Sequence, residues 1–352
     1  MKGKLTLKKL AVIAAVCMAV LCLLVYSEPT PEQVKERTNL LIQAINKNDV
    51  EQAKLCIKLG ADVNTKVYRT YWSPIVYVGN TKDCYTALTY AVCINSKDMV
   101  ELLIDAGVDV NLRDDEGNTA LMYAAFNGYR DMAELLIKAG ADVNAKILLK
   151  NRIVLYLDQR KDLGGSNILL LAVKKEENYK NDIVKLLIES GADVNAKDYD
   201  GDTALRIAAL HNKKDIAELL IEAGADLNVK NNAGRTALRA AAGEGNRDIT
   251  ELLIKAGADM DVKGSDGLTA LICAIDNDKK DTAELLIKAG ADSETALAWA
   301  VENNKHDAVK FLIELGTDVN SKDKDGLTLL THAILHGQKD IADLLRAAGA
   351  KE

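Results

Sequence analysis

The sequence predicts an all-α repeat solenoid, and three observations carry that prediction. One phrase, Leu-Leu-Ile-x-x-Gly-Ala-Asp, recurs with its glycine at Gly60, Gly107, Gly140, Gly191, Gly224, Gly257, Gly290, Gly316 and Gly349. Five of the eight intervals between those glycines equal 33 residues; the others are 47, 51 and 26. The composition is the third: three prolines and 4 % aromatic residues in a chain of 352, beside plentiful Ala, Leu, Ile and Lys. Such usage suits helices packed through small residues and disfavours a large β-sandwich. Apolar residues at 48 % and charged residues at 28 % are ordinary globular usage. A net charge of −7 supplies no basic field for nucleic acid.

The first seven-odd per cent of the chain reads as an address. Lys2, Lys4, Lys8 and Lys9 precede an uncharged apolar run from Leu10 to Val25, the layout of a secretory signal. Cleavage after Ser27 would remove four lysines and no acid, taking the net charge from −7 to −11. An uncleaved helix over residues 10–25, attaching the chain to a membrane, is the alternative. Residues 1–27 are therefore expected to be a signal peptide or anchor, and 28–37 a linker. The repeats follow over 38–352. The expected location is outside the cytoplasm, periplasmic or secreted, or else at a membrane.

Each repeat opens with a second phrase, as in Thr119-Ala120-Leu121, Thr203-Ala204-Leu205, Thr236-Ala237-Leu238 and Thr269-Ala270-Leu271. Counting its first residue as place one, leucine fills the third place of every first helix, from Leu41 to Leu330. Alanine fills the sixth, from Ala44 to Ala333. Positions three apart share a helical face, so each first helix offers neighbours one leucine and one methyl-sized contact. The second helix carries pairs such as Leu135-Leu136 and Leu219-Leu220. Gly140 or Gly224 then supplies the left-handed residue that ends it. An Asp near the start of that helix (Asp98, Asp131, Asp215, Asp248, Asp281, Asp340) suits the exposed N–H groups. A glutamate three later in most copies, such as Glu134 or Glu218, reads as a capping box. Each unit can bury its apolar stripe only against the next, so stability accumulates along a stack.

A 33-residue period with these phrases resembles the ankyrin repeat, a β-turn plus two antiparallel helices, here in nine copies. The resemblance implies stacked ankyrin repeats and a non-enzymatic module that binds another protein. The chain departs from the family's Thr-Pro-Leu-His phrase: Ala replaces Pro, and Met122, Arg206, Arg239 or Ile272 stands at the histidine place. The unit ending at Gly316 is seven residues short, because Ser293-Glu294 runs directly into Thr295.

Two insertions interrupt the period, at 65–82 and 145–165, both at the hairpin position. The first contains Tyr68, Tyr71, Trp72 and Tyr77; the second contains Ile147-Leu148-Leu149 and Ile153-Val154-Leu155-Tyr156-Leu157. Insertions in repeat arrays gather on one face and often build its binding site. Alternatively their apolar residues pack back on the parent repeats. Tyr and Trp are favoured interface anchors, which makes the first insertion the better candidate.

The eighth place of the first helix lies outside the core pattern and varies: Cys93, Phe126, Leu210 and Leu335 beside Lys174, Asp276 and Glu302. In the ankyrin family these places, with the turn tips, line the concave recognition surface. The resemblance thus implies a partner-binding row of Phe126, Leu210 and Leu335, joined by tip residues Tyr85, Tyr199, Asn232, Arg235, Leu268 and Leu327. Contact between repeats that shields these side chains is the alternative.

Chemistry is sparse. Nucleophile-elbow, phosphate-loop and dinucleotide fingerprints are absent, and the four histidines include one pair at helical spacing, His332 and His336. That segment reads His-Ala-Ile-Leu-His, without a zincin's glutamate or an evident third ligand, and His332 stands where other repeats hold Tyr123 or Trp299. Packing is expected there, with no metal, cofactor or catalytic residue. Cys56 and Cys273 fall at apolar places and are expected to be reduced core thiols. Cys84 and Cys93 could bridge only if their Cα atoms approach within about 7 Å. The expected partner is an unidentified protein, bound by a monomer. A membrane-tethered structural spacer is the competing reading.

Overall fold

The computed structural model describes residues 29–68, 84–147, 167–174, 181–322 and 326–351. The chain divides into two compact units, one ending at Leu112 and one beginning at Arg113. Both are built from paired helices, so the all-α repeat solenoid is the observed fold class.

In the first unit, α1 (Pro31–Lys47) packs on α2 (Val50–Lys58), and α3 (Ala87–Cys93) on α4 (Lys97–Asp105). The helix α1 corrects the expected linker at 28–37. Thr30 accepts from the Gln33 amide while Gln33 Oε1 accepts from the Thr30 amide, and Pro31 takes the first helical position. That is a complete capping box followed by a residue pre-set for helix. Between α2 and α3, β1 (Lys66–Tyr68) pairs antiparallel with β2 (Cys84–Thr86), matching Val67 with Tyr85. The outer part of the first insertion lies outside the described residues.

Among the described residues, the second unit holds seven helical pairs. Its first helices are α5 (Ala120–Asn127), α7 (Ile168–Lys174), α9 (Ala204–Leu210), α11 (Ala237–Glu244), α13 (Ala270–Asp276), α15 (Ser293–Glu302) and α17 (Leu329–Leu335). Their partners are α6 (Arg130–Lys138), α8 (Asn181–Glu189), α10 (Lys214–Glu222), α12 (Arg247–Lys255), α14 (Lys280–Lys288), α16 (His306–Glu314) and α18 (Lys339–Ala347). Successive first helices pack on one another, and so do successive second helices apart from α14 and α16. All nine third-place leucines and all nine sixth-place alanines of the chain are buried, none more than 2 % exposed. Alanine at the contact lets the helix axes close on each other, while the leucines fill the space between layers.

Helix ends follow backbone logic. Thr86, Thr119, Thr203, Thr236, Thr269 and Thr328 each accept, through the hydroxyl, the backbone N–H three residues on, so threonine caps the first helix without help from a histidine. Every second helix ends on a glycine with positive φ, from +79° at Gly107 to +97° at Gly290. After α6, Gly140 N–H donates to Ile137 O and Ala141 N–H to Leu136 O, a Schellman closure that the other copies repeat.

The capping box expected on the second helices does not form. Asp131, Asp215 and their equivalents sit at the second helical position, two residues past the cap; the cap positions are Tyr129, Lys213, Asn246, Lys279, Lys305 and Gln338, and none makes a side-chain cap bond. The aspartates still lie where the helix dipole favours an anion. The glutamates instead meet lysines one turn on, as in Glu134–Lys138 (2.7 Å) and Glu251–Lys255 (2.6 Å). In the short repeat, Asp292 replaces threonine as cap and draws Ser293–Thr295 into the first turn of α15, which removes the hairpin as expected.

Candidate partner-binding surface

The turns that precede the first helices are set by a side chain five residues before the capping threonine. Asp114 Oδ1 accepts from the Glu116 and Asn118 amides, Asp198 Oδ1 from Asp200 and Asp202, and Asn231 Oδ1 from Ala233 and Arg235. At Asp114 the second oxygen accepts from Tyr123 Oη at 2.7 Å. Burial pushes this carboxyl up from 3.8 to about 6, against the pull of its hydrogen bonds to Asn118, Tyr123 and Glu116. At Asp198 the second oxygen takes the Lys174 ammonium at 2.7 Å, so this eighth-place lysine is directed into the next repeat's turn.

The two arginines at the family's histidine place solve their burial differently. Arg206 pairs with Asp202 of its own repeat. Arg239 crosses to Asp266 of the next repeat and its Nε donates to Cys273 Sγ at 3.1 Å. The hydrogen bond from Arg239 holds Asp266 down at about 2. Glycine at 264, where other turns have Asp or Asn, makes room: a Cβ there would lie 1.7 Å from Arg239 Nη1. Cys273 is a buried thiol pushed up by that burial, and Cys56 is buried too. The side chain of Cys84 lies outside the described residues, and with it the Cys84–Cys93 pairing.

Neighbouring repeats are joined at the hairpin end by asparagines whose role the sequence reading missed. Asn144 Oδ1 accepts from the Asp193 amide, Asn195 from Asp226, Asn228 from Asp259 and Asn320 from Lys351. The Asp-Val-Asn or Asp-Leu-Asn that follows six of the nine helix-ending glycines was the available signal.

The candidate partner residues separate by placement. Leu335 is 67 % exposed at the end of α17, Tyr199 is 55 % exposed on its tip, and Leu327 and Arg235 are exposed. Phe126, Leu210 and Leu268 are half-buried. The Asn232 side chain is spent between repeats: its Nδ2 donates to Tyr199 O at 2.7 Å and its N–H to Asp200 O. Tyr85 is not on a free tip; it lies in β2, half-buried, its ring 5.7 Å from that of buried Tyr90. Strand pairing at the base of the insertion fixes it there. Tyr71, Trp72, Tyr77 and the Tyr68 side chain lie outside the described residues. At the second insertion, Lys146 bridges Asn167 and Ile147 is buried, so the first residues of that insertion pack back on the repeat.

His332 and His336 stack with centroids 4.3 Å apart, and His332 is half-buried as packing required. Among the described residues, no group of three or more His, Cys, Asp or Glu could hold a metal ion, and no helix is long and apolar enough to cross a membrane.

Helical pairs, Schellman glycines and threonine-capped inner helices define a repeat scaffold whose variable side chains are carried on fixed elements. The family model described as ankyrin repeats (three copies) matches residues 41–147, 148–231, 225–294 and 288–351. The chain belongs to the ankyrin-repeat family. No curated protein matches it. Ankyrin repeats indicate a protein–protein interaction module.

Proposed function

We propose that the second unit captures a protein partner through the eighth-place row of its first helices and the adjacent tips, with Leu210, Leu335, Tyr199 and Leu327 as apolar anchors. The carrying observation is the exposure of Leu335 on a threonine-capped helix and of Tyr199 on a turn held by Asp198. Their apolar area gains nothing from folding and would gain about 25 cal/mol per Å² against a partner. The long insertions are proposed as further partner contacts, each within its own unit. The reading requires no catalysis and no cofactor; export past a membrane, with residues 1–27 as signal or anchor, remains part of the proposal.

Replacing Tyr199, Leu210 and Leu335 together by Asp tests it. Partner recovery by crosslinking in the native compartment should be lost while the helical circular-dichroism signal stays. Undiminished recovery would overturn the proposed surface. A tethered spacer would instead be favoured by a mature chain beginning at Met1 with no dependence on these three residues.

A further inference from the structure

Three second helices begin at a residue that reaches back to the preceding repeat. Lys213 Nζ donates to Val173 O (2.6 Å), Asn246 Nδ2 to Ala209 O (2.8 Å) and Gln338 Nε2 to Val301 O (2.9 Å). All three acceptors are seventh-place carbonyls at the end of a first helix, so these side chains cap it. Lys305 occupies the same position and does something else. Ile275 O, the seventh-place carbonyl of the preceding repeat, accepts from the Asp278 amide, just as Val301 O accepts from the Asn304 amide, and Lys305 is not directed at it. Lys305 Nζ turns instead to the Asp276 carboxylate at 2.7 Å and stands 5.8 Å from the centroid of the Trp299 ring.

That ammonium sits in a groove of about 400 Å³ whose apolar wall is Ile275, Trp299 and Phe311. Three carboxylates line it, Asp276, Asp278 and Asp307, against the cations Lys280 and Lys305 and the imidazole of His306. An indole face beside a carboxylate is the chemistry that holds a cation. Lys305 fills it as a point charge with one hydrogen-bonded partner, and both members of the pair are over a third exposed. Because Lys305 caps no carbonyl here, its departure would orphan no backbone group.

We propose that this groove is a recognition site for an arginine side chain of a partner peptide, and that Lys305 is its built-in, displaceable occupant. A guanidinium fits better than an ammonium. Its plane stacks on Trp299, and its fork of donors can engage Asp276 together with a second carboxylate. The inference rests on the chain being a protein-binding array only in taking the occupant to be a peptide side chain; the groove shares no residue with the apolar anchors proposed above.

Trp72 and Trp299 are the two tryptophans, so a full-length W72F chain reports on Trp299 alone. Titration with N-acetyl-arginine amide should give a saturable change in its emission. The citrulline analogue should give none, and Asp276→Asn should abolish the response. Lys305→Met and Lys305→Gln, each with an unchanged thermal midpoint, should tighten binding by about two- to fivefold, the worth of an exposed cation on an aromatic face. No saturable response, an equal response to citrulline, or weaker binding in both folded Lys305 variants would overturn the site. Loss of arginine binding with intact partner recovery removes this groove alone. Arginine binding in a chain whose recovery ignores Tyr199, Leu210 and Leu335 removes only the apolar surface.

Discussion

Asp114 should make the second unit less stable as neutral pH is approached, and one atom-for-atom replacement should cancel that. Its carboxyl titrates near 6 in the folded chain against an ordinary value of 3.8, with burial as the main cause. A raised carboxyl favours folding fully below about 4, where both states are protonated, and that contribution is lost as pH rises through about 6. At about 1.4 kcal/mol per pH unit, the loss between those limits is about 3 kcal/mol. Asp114→Asn removes the titration while keeping the turn, because Asn231 already holds the equivalent turn with the same pair of backbone bonds. Urea denaturation of the native chain and the variant at pH 4.5, 5.5, 6.5 and 7.5 provides the measurement. The variant should be more stable by about 1–3 kcal/mol at neutral pH, after allowance for the altered Tyr123 bond, and flatter across the series. Parallel curves for the two proteins would refute the argument that burial governs this group.

The remaining expectations concern the scaffold and its polar joints. Gly224→Ala meets open space but keeps a φ of +82°, so it should cost about 1 kcal/mol through backbone strain alone, read from the urea midpoint. Leu238→Ala, at a fully buried third place, should cost about 2–5 kcal/mol and weaken hydrogen-exchange protection most in α11 and the helices packed on it. Arg239→Ala should speed modification of Cys273 by a thiol reagent, since the guanidinium now covers its sulfur; an unchanged rate would show that the layer above it, not the arginine, protects it. Because Asp266 is held at about 2, the stability it brings is present above about 4 and lost as pH falls toward 2. Arg239→Ala should therefore blunt acid unfolding in that window.

The scaffold was legible because it is written nine times. Leu at place three, Ala at place six and a left-handed glycine each answer a requirement that recurs identically, so repetition itself exposed them. The start of α1 was also written, as Thr30-Pro31-x-Gln33, but it was read as linker because it precedes the repeated phrase. The capping box placed on the second helices failed for a different reason. Asp and Glu three apart fit that pattern at any offset, and the actual cap lies two residues earlier, at Lys213 or Asn246. The polar joints were the least visible. Whether the arginine at this place turns to its own repeat, as Arg206 does, or reaches the next, as Arg239 does, goes with the residue at the neighbour's turn, Asn231 in one case and Gly264 in the other. Of the surface, Leu335 and Tyr199 are open where the pattern placed them. Asn232 could not be distinguished by sequence from a free tip, since its partner is a backbone carbonyl one repeat away.

The asparagine acceptors that link successive hairpins make the array editable by whole cassettes. Asn195 receives the amide of Asp226, and Asn228 receives that of Asp259. Excision of residues 196–228 would present Asp259 to Asn195 with donor and acceptor still matched, and duplication of the same stretch would do likewise. Gene-level slippage in register with this spacing can thus lengthen or shorten the protein with this asparagine joint kept, whereas a cut out of register would sever it.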